Sequence, residues 1–174
     1  SCNFTAHLSE LTTWKEPEWQ SHNWKDFHFE HPTGFLEAPS SVVASGAKVP
    51  VPHFTKQLDY EIEIAIIIGK PAFRVSIADA MDYVAGYTIF NDLSARDIQA
   101  WEYQPLGPFL AKSFATTISP FVVTMEALAP FRTNAFERDA EDPQPLPYLN
   151  GEQNQKFGGF DIKLEVYIQT EKMR

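Results

Sequence analysis

The sequence contains a single cysteine, Cys2, among its 174 residues. A disulfide framework within the chain is therefore excluded, which is typical of a protein from a reducing compartment. Long apolar runs are missing as well, since the run at residues 64–69 is far too short to span a bilayer. These absences argue against a disulfide-stabilised secreted domain and against a membrane protein, and we expect a cytoplasmic one.

Basic residues are also scarce, with 14 lysines and arginines against 23 acidic residues and a net charge of −9. An acidic surface repels phosphate backbones, which excludes nucleic acid as a natural partner. Hydrophobic residues make up 44% and charged residues 21%, which are ordinary globular values. The length suits one domain with a real core, and we expect residues 1–174 to form a single domain.

Strand patterns outnumber helical ones along the chain. Alternation and apolar runs predict strands at residues 58–69, 84–90, 118–123 and 160–169. The apolar second half of the first strand should be fully buried. Helical spacing predicts short helices at residues 77–83 and 94–103. Because the regular strand–helix rhythm of a doubly wound sheet is missing, we expect a strand-dominated α+β fold with a mixed sheet.

Capping residues and loop-forming segments lie between these predicted elements. The helix at residues 94–103 has Ser94 as its expected N-cap, with Asp97 three residues on, the arrangement of a capping box. Proline-rich residues 129–151 predict a loop. Aromatic-rich residues 12–35 show neither helical nor strand period, which predicts an ordered loop or lid over a site, or a hydrophobic flap packed on the core.

Three carboxylates form a candidate metal site. Glu61 and Glu63 share one face of the first long predicted strand, about 6–7 Å apart. Taken alone, two glutamates on an exposed edge strand explain this pair better. Asp92 follows the next apolar strand, where a carboxylate is commonly a ligand. Three carboxylates without thiolates or clustered imidazoles favour Mg²⁺, with Mn²⁺ or Ca²⁺ as alternatives, over Zn²⁺.

Polar side chains next to Asp92 could bind an anionic substrate. Arg96, Gln99 and Tyr103 have i, i+3, i+7 spacing and therefore share one helix face. Arg96 can bind a carboxylate with two hydrogen bonds, and Gln99 and Tyr103 can donate to oxygens. Lys112, within an apolar loop, could stabilise a developing enolate. Without a metal nearby, a solvated polar face would be the better interpretation of the three helix residues. For Lys112 alone, a surface lysine whose ammonium reaches solvent is an equal alternative.

His7 and Glu10 are a candidate general base with its partner. If residues 5–11 form helical turns, positions i and i+3 share a face, and the glutamate can orient the imidazole to deprotonate water. This spacing is frequent by chance, so its specificity is low.

A block in the middle of the chain carries a far more specific signal. It reads Asn91-Asp92-Leu93-Ser94-Ala95-Arg96-Asp97-Ile98-Gln99-Ala100-Trp101-Glu102-Tyr103, followed by Pro105-Leu106-Gly107-Pro108-Phe109-Leu110 and Lys112-Ser113-Phe114. Upstream lie Asp59-Tyr60-Glu61-Ile62-Glu63 and Pro39-Ser40-Ser41-Val42-Val43. Together they resemble the signature of the fumarylacetoacetate hydrolase family, with a likeness that extends over about residues 36–170.

The resemblance implies a β-roll or sandwich with a mixed sheet and short helices. It implies a metal held by Glu61, Glu63 and Asp92. The residues that it implies for binding substrate oxygens and stabilising an oxyanion are Arg96, Gln99 and Lys112, with Tyr103 on a substrate carboxylate.

At the start of the chain, the resemblance implies that His7 activates water with Glu10 as its partner, as in the acylpyruvase-like members. The family's fourth metal ligand, an aspartate seven residues before this histidine, would precede Ser1. The family's C-terminal glycine–threonine segment has no match, so we expect a fragment that lacks the C-terminal part.

The function implied is metal-dependent hydrolysis of a carbon–carbon bond in a β-dicarbonyl acid such as fumarylacetoacetate. The resemblance also implies a homodimer acting in aromatic amino acid catabolism. An acylpyruvate hydrolase or an oxaloacetate decarboxylase on the same scaffold is the nearest alternative. A non-catalytic, strand-rich binding module is the alternative from another class.

Overall fold

The computed structural model describes residues 2–3, 34–104, 107–137, 140 and 144–173. His7, Glu10 and most of the predicted lid at residues 12–35 lie outside the described residues. Within the described part, eight strands stand against three short α-helices, and this confirms the predicted strand-dominated α+β class.

The strands vary greatly in length. In chain order they are β1 (Cys2–Asn3), β2 (Phe35–Leu36), β3 (Val42–Ala44), β4 (Leu58–Ile68), β5 (Val84–Ala95), β6 (Thr116–Ile118), β7 (Arg132–Thr133) and β8 (Gly159–Phe160). The α-helices are α1 (Arg96–Glu102), α2 (Met125–Leu128) and α3 (Glu152–Phe157). Single 3₁₀ turns cover Pro39–Ser41, Ala80–Tyr83, Ala129–Phe131 and Pro147–Leu149.

A mixed four-stranded sheet forms the centre of the described structure, in the order β3-β6-β5-β4. Strands β3 and β6 run parallel, whereas β4–β5 and β5–β6 are antiparallel. Two small antiparallel pairs, β1–β2 and β7–β8, lie outside this sheet. The β4–β5 pair is the largest element, because both strands are long and stay in register until a bulge at Ile67/Ile68.

The predicted strand at residues 58–69 is confirmed, one residue shorter at its end, whereas β5 runs five residues beyond its predicted end, to Ala95. The predicted helix at residues 94–103 is shorter, and Ser94 is not its N-cap. Ala95 holds that position without a side-chain hydrogen bond, because Ser94 still pairs with Asp59 in the sheet.

The strand predicted at residues 160–169 is largely wrong. Only Gly159–Phe160 pairs, with Arg132–Thr133, and residues 161–173 are exposed and outside any strand. An alternating sequence forms a strand only where a neighbouring strand accepts its hydrogen bonds. The strand predicted at residues 118–123 is also largely wrong, because β6 covers Thr116–Ile118 and shares only Ile118 with it. Within the predicted range, Val123 forms an isolated bridge with Tyr87.

Burial differs between the two faces of the β4–β5 pair. On one face Thr88, Phe90, Asp92 and Ser94 are buried. On the other face apolar side chains are exposed, namely Leu58, Tyr60, Ile64, Ile66, Ile68 and Ile89. The full burial expected for the second half of β4 is therefore not found.

None of the helices in the described part of the chain is long and apolar enough to cross a membrane.

Candidate active site

The register of β4 and β5 brings the three predicted carboxylates to one face. Glu61 lies directly opposite Asp92, and Glu63 lies opposite Phe90. Residues directly opposite each other in an antiparallel pair point to the same side, with Cα atoms about 4.5–5.5 Å apart. One oxygen from each of Glu61, Glu63 and Asp92 lies within 4.8 Å of the other two. We call these three residues the carboxylate cluster.

Lys112 reaches the carboxylate cluster from the loop after α1, and its side chain is only 1% exposed. Its Nζ lies 2.7 Å from Glu61 Oε2 and 2.9 Å from Asp92 Oδ2, and it donates to Ser94 Oγ at 2.6 Å. An ammonium has three donors, and all three find a partner here. This fixes the position of the ammonium, and it offsets the cost of burying a charge.

Arg96 binds the other side of Glu61 from the first residue of α1. Its Nη2 lies 2.7 Å from Glu61 Oε1, and its Nε donates to Asp59 Oδ2 at 2.9 Å. Its Nη1 donates to Gln99 Oε1 at 3.0 Å. Burial lowers the pKa of Arg96, but hydrogen bonds and charges from Asp59 and Glu61 outweigh this and raise it. Arg96 is therefore permanently charged and held by three side chains.

Two members of the carboxylate cluster hold protons unusually strongly. Burial, the hydrogen bond with Glu61 and the charges of Glu61 and Asp92 raise the pKa of Glu63 to about 7, although Lys112 opposes this. Burial raises the pKa of Asp92 to about 7 against the charge and hydrogen bond of Lys112, with Glu37 and Glu61 adding to the rise. Burial and the neighbouring carboxylates together thus favour the protonated forms of Glu63 and Asp92, and the charge of Lys112 offsets this only in part.

The residues of the carboxylate cluster fit a divalent cation. They offer three converging oxygens, the hard ligand type that Mg²⁺ and Ca²⁺ prefer. Carboxylates whose pKa values rise through mutual repulsion and burial are stabilised by a bound positive charge. No histidine or cysteine joins the group among the described residues, which disfavours Zn²⁺.

Two buried residues near Asp92 were missed by the sequence analysis. Thr116, opposite Asp92 on β6, donates to Glu37 Oε2 at 3.3 Å. The Glu37 side chain is buried beside β6 and adds negative charge near Asp92. The sequence gives no signal for Glu37, because it lies in an irregular segment between β2 and the first 3₁₀ turn.

Two further residues have unexpected roles. Ser94, predicted to cap α1, instead accepts the hydrogen bond from Lys112. Asp59, unremarked in the sequence, binds Arg96, and its place two residues before Glu61 on the same strand face was a usable signal.

The other predicted site residues are only partly placed. Tyr103 is the half-buried C-cap of α1, and its contact with a substrate stays a prediction. His7 and Glu10 lie outside the described residues, so their pairing stays a prediction.

Comparison with known proteins adds independent information. A family model described as "Fumarylacetoacetate (FAA) hydrolase C-terminal" matches residues 1–173. The chain is 44% identical over 170 residues to a fumarylacetoacetase from Oryza sativa subsp. japonica, which covers 86% of this chain and 37% of that protein. It is 43% identical over 160 residues to the fumarylacetoacetase of Homo sapiens, covering 82% and 36%.

Among solved structures, the fumarylacetoacetate hydrolase of Exiguobacterium antarcticum superposes with a TM-score of 0.51 at 36% identity. The match covers 57% of this chain and 36% of that one. The chain thus spans little more than a third of the length of the relatives it matches. The family match and the identities agree with each other over most of the sequence, and the chain belongs to the fumarylacetoacetate hydrolase family.

Proposed function

We propose that residues 1–174 act as a catalytic domain that hydrolyses a carbon–carbon bond next to a carbonyl in a β-dicarbonyl acid such as fumarylacetoacetate, with Mg²⁺ as cofactor. One observation carries the proposal: three carboxylate oxygens converge within 4.8 Å of one another, and a buried lysine and an arginine both contact one of these carboxylates, Glu61. The fumarylacetoacetase relatives support the choice of substrate class. Ca²⁺ and Mn²⁺ are the alternative cations.

Each residue of the site has a proposed role. Glu61, Glu63 and Asp92 hold the cation, which when bound supplies Lewis acidity toward the oxygens of the dicarbonyl. Arg96 and Lys112 supply positive charge on either side of Glu61. Fixed positive charges in these positions favour a developing oxyanion, typically by about 3 kcal/mol for each preorganised group. Lys112 acts through its charge, because its three N–H donors are already engaged.

Two further residues complete the substrate contacts. The Gln99 side-chain oxygen accepts from Arg96, which leaves its amide group available to donate to a substrate oxygen. Tyr103 follows α1, and we propose that its hydroxyl binds the distal carboxylate of the substrate.

The bond changes balance without a further reactant. His7, oriented by Glu10, takes one proton from water, and the hydroxide adds to the carbonyl carbon. The adjacent carbon–carbon bond then breaks, and its electron pair goes to the leaving carbon as an enolate. The proton held by His7 returns to that carbon, so that one carboxylic acid and one ketone leave.

The test is Glu61→Ala, which removes the carboxylate that both Arg96 and Lys112 contact. We expect loss of Mg²⁺ binding by calorimetry together with loss of turnover of fumarylacetoacetate. Glu165→Gln, an exposed acid outside the site, is the control and should change neither measurement. Full activity in Glu61→Ala would remove the cation from the mechanism.

A second candidate shares the enolate but needs no attacking water. Its support is the likeness to a 2-hydroxyhepta-2,4-diene-1,7-dioate isomerase from Mycobacterium marinum, with a TM-score of 0.50, 35% identity and coverage of 55% of this chain and 37% of that one. Oxaloacetate decarboxylation is another reaction that forms an enolate without an attacking water. Acylpyruvate hydrolysis, in contrast, is the same hydrolytic reaction as the one proposed above, with a different substrate. Assays of fumarylacetoacetate, acetylpyruvate and oxaloacetate in parallel separate them, since His7→Ala should abolish only the hydrolytic reactions.

A non-catalytic binding module is the remaining alternative. Calorimetry with Mg²⁺ and oxalate, which mimics an enolate, separates it from an enzyme, because absence of any binding would favour the module. We also propose a cytoplasmic homodimer that acts in aromatic amino acid catabolism. Gel filtration with light scattering tests the oligomeric state.

A further inference from the structure

Two large apolar side chains just before Lys112 are exposed in the described part of the loop. Phe109 is 49% exposed and Leu110 is 69% exposed. Gly107, at φ +96°, turns the chain where a side chain would be strained. Burial of Phe109 and Leu110 therefore does not explain why the loop delivers Lys112 to one place.

Glu102, the last residue of α1, supplies the missing support. Its carboxylate accepts three consecutive backbone N–H groups, from Phe109 at 2.6 Å, Leu110 at 3.1 Å and Ala111 at 2.8 Å. Hydrogen bonds to an ionised acceptor are stronger than neutral ones, and three on one side chain fix the path of a segment. Glu102 thus binds the three residues that immediately precede Lys112.

The loop has a second anchor at the other end of α1. Ala95 donates its backbone N–H to the carbonyl of Ala111 at 3.0 Å, and both residues are fully buried. Both backbone groups of Ala111 are therefore held. The Ala111 carbonyl accepts from Ala95, and the Ala111 N–H donates to Glu102. The next residue, Lys112, leaves this fixed point and reaches Glu61 and Asp92.

We infer that Glu102 is a positioning residue for Lys112, an inference that rests on the proposed function of the site. The two ends of helix α1 then fix the positions of both positively charged side chains of the site, Arg96 and Lys112. Arg96, its first residue, contacts Glu61 directly, and Glu102, its last, places Lys112 through the loop backbone. Glu102 itself touches no reacting atom in this scheme.

The first experiment needs neither metal nor substrate. In protein labelled with ¹⁵N-lysine, the buried Lys112 ammonium with its three partners should give a slowly exchanging signal. Glu102→Gln should broaden or remove this signal and speed amide exchange at residues 109–111 by about tenfold or more. Glu152→Gln, at an exposed helical position paired with Lys156, is the matched control and should change neither.

The second experiment separates positioning from general damage. Glu102→Gln should weaken oxalate binding in the presence of Mg²⁺ by about tenfold, and should have no further effect in a Lys112→Met background. If Glu102→Gln does not fold, Glu102→Asp keeps the charge and is measured in its place. An unchanged Lys112 signal, or equal losses in both backgrounds, would overturn the inference.

Failure of the proposed function gives a different result. A protein that binds neither Mg²⁺ nor oxalate and turns over no dicarbonyl acid would refute the proposed function. The Lys112 signal and the amide exchange would still decide the role of Glu102.

Discussion

Lowering the pH from 8 to 6 should weaken Mg²⁺ binding sharply, because the ligands must lose protons before they bind a cation. The raised pKa values of Glu63 and Asp92, both about 7, place their titration in the middle of this range. Carboxyls at their ordinary values of 4.5 and 3.8 would be ionised throughout and would give almost no change.

The magnitude follows from the fraction of each carboxyl that is ionised. With a pKa of about 7, each carboxyl is about nine-tenths ionised at pH 8 and about one-tenth at pH 6. Each carboxyl that must lose its proton therefore lowers the apparent affinity about tenfold, and two lower it about 100-fold. Since Glu63 and Asp92 interact, the decrease in Mg²⁺ affinity reflects the titration of the two carboxyls as a pair and is not assigned to either residue alone.

The measurement is isothermal titration of Mg²⁺ at both pH values, repeated in two buffers with different ionisation enthalpies to count the protons released. Glu63→Gln should remove one of the titrating groups and about halve the logarithmic slope. Glu165→Gln, in which an exposed carboxyl is replaced, should leave the slope unchanged. An affinity that stays constant between pH 6 and pH 8, without proton release, would refute the reasoning.

Two further predictions concern the same buried charges. Carboxyls with raised pKa values bind more protons in the folded than in the unfolded protein between about pH 4.5 and pH 7, so the metal-free protein should lose stability as the pH rises through this window. Melting curves in EDTA at pH 5 and pH 8 test this, and Glu63→Gln should reduce the difference. Glu37→Gln removes a charge that raises the pKa of Asp92. The pH at which Mg²⁺ affinity decreases should therefore be lower in this variant, and Glu171→Gln, the control, should leave that pH unchanged.

The two long strands show how far the sequence can be interpreted. The bounds of β4 follow from its pattern to within one residue, because alternation that passes into an apolar run has one clear interpretation. β5 was predicted too short, since Asn91 and Asp92 interrupt the apolar run at residue 90 although the strand continues to Ala95. Polar residues at a functional site break the local pattern, and such places are where prediction from pattern fails.

The convergence of the carboxylates depends on a register that no local signal fixes. A tight hairpin turn would set the pairing of two strands, but residues 69–83 connect β4 to β5 by a long excursion. A shift of one residue would move Glu61 and Glu63 to the opposite face from Asp92. The spacing of Glu61 and Glu63 suggested a pair, and Asp92 was added from its place at a strand end and from the family resemblance, neither of which fixes the register.

Which face of the β4–β5 pair is buried was even harder to predict from the sequence. Hydrophobicity alone would place Ile64, Ile66 and Ile68 inside and the acidic residues of β4 outside. These isoleucines are exposed, and among the described residues the largest fully buried side chains are Lys112, Asp92, Ser94 and Thr116. Burying an ammonium and a carboxylate is costly unless they are paired, and apolar residues of the same volume would often give a more stable core. Stability therefore does not account for this polar interior. A site that must hold charge away from water does account for it, and this is the physical ground for treating the acidic face as functional.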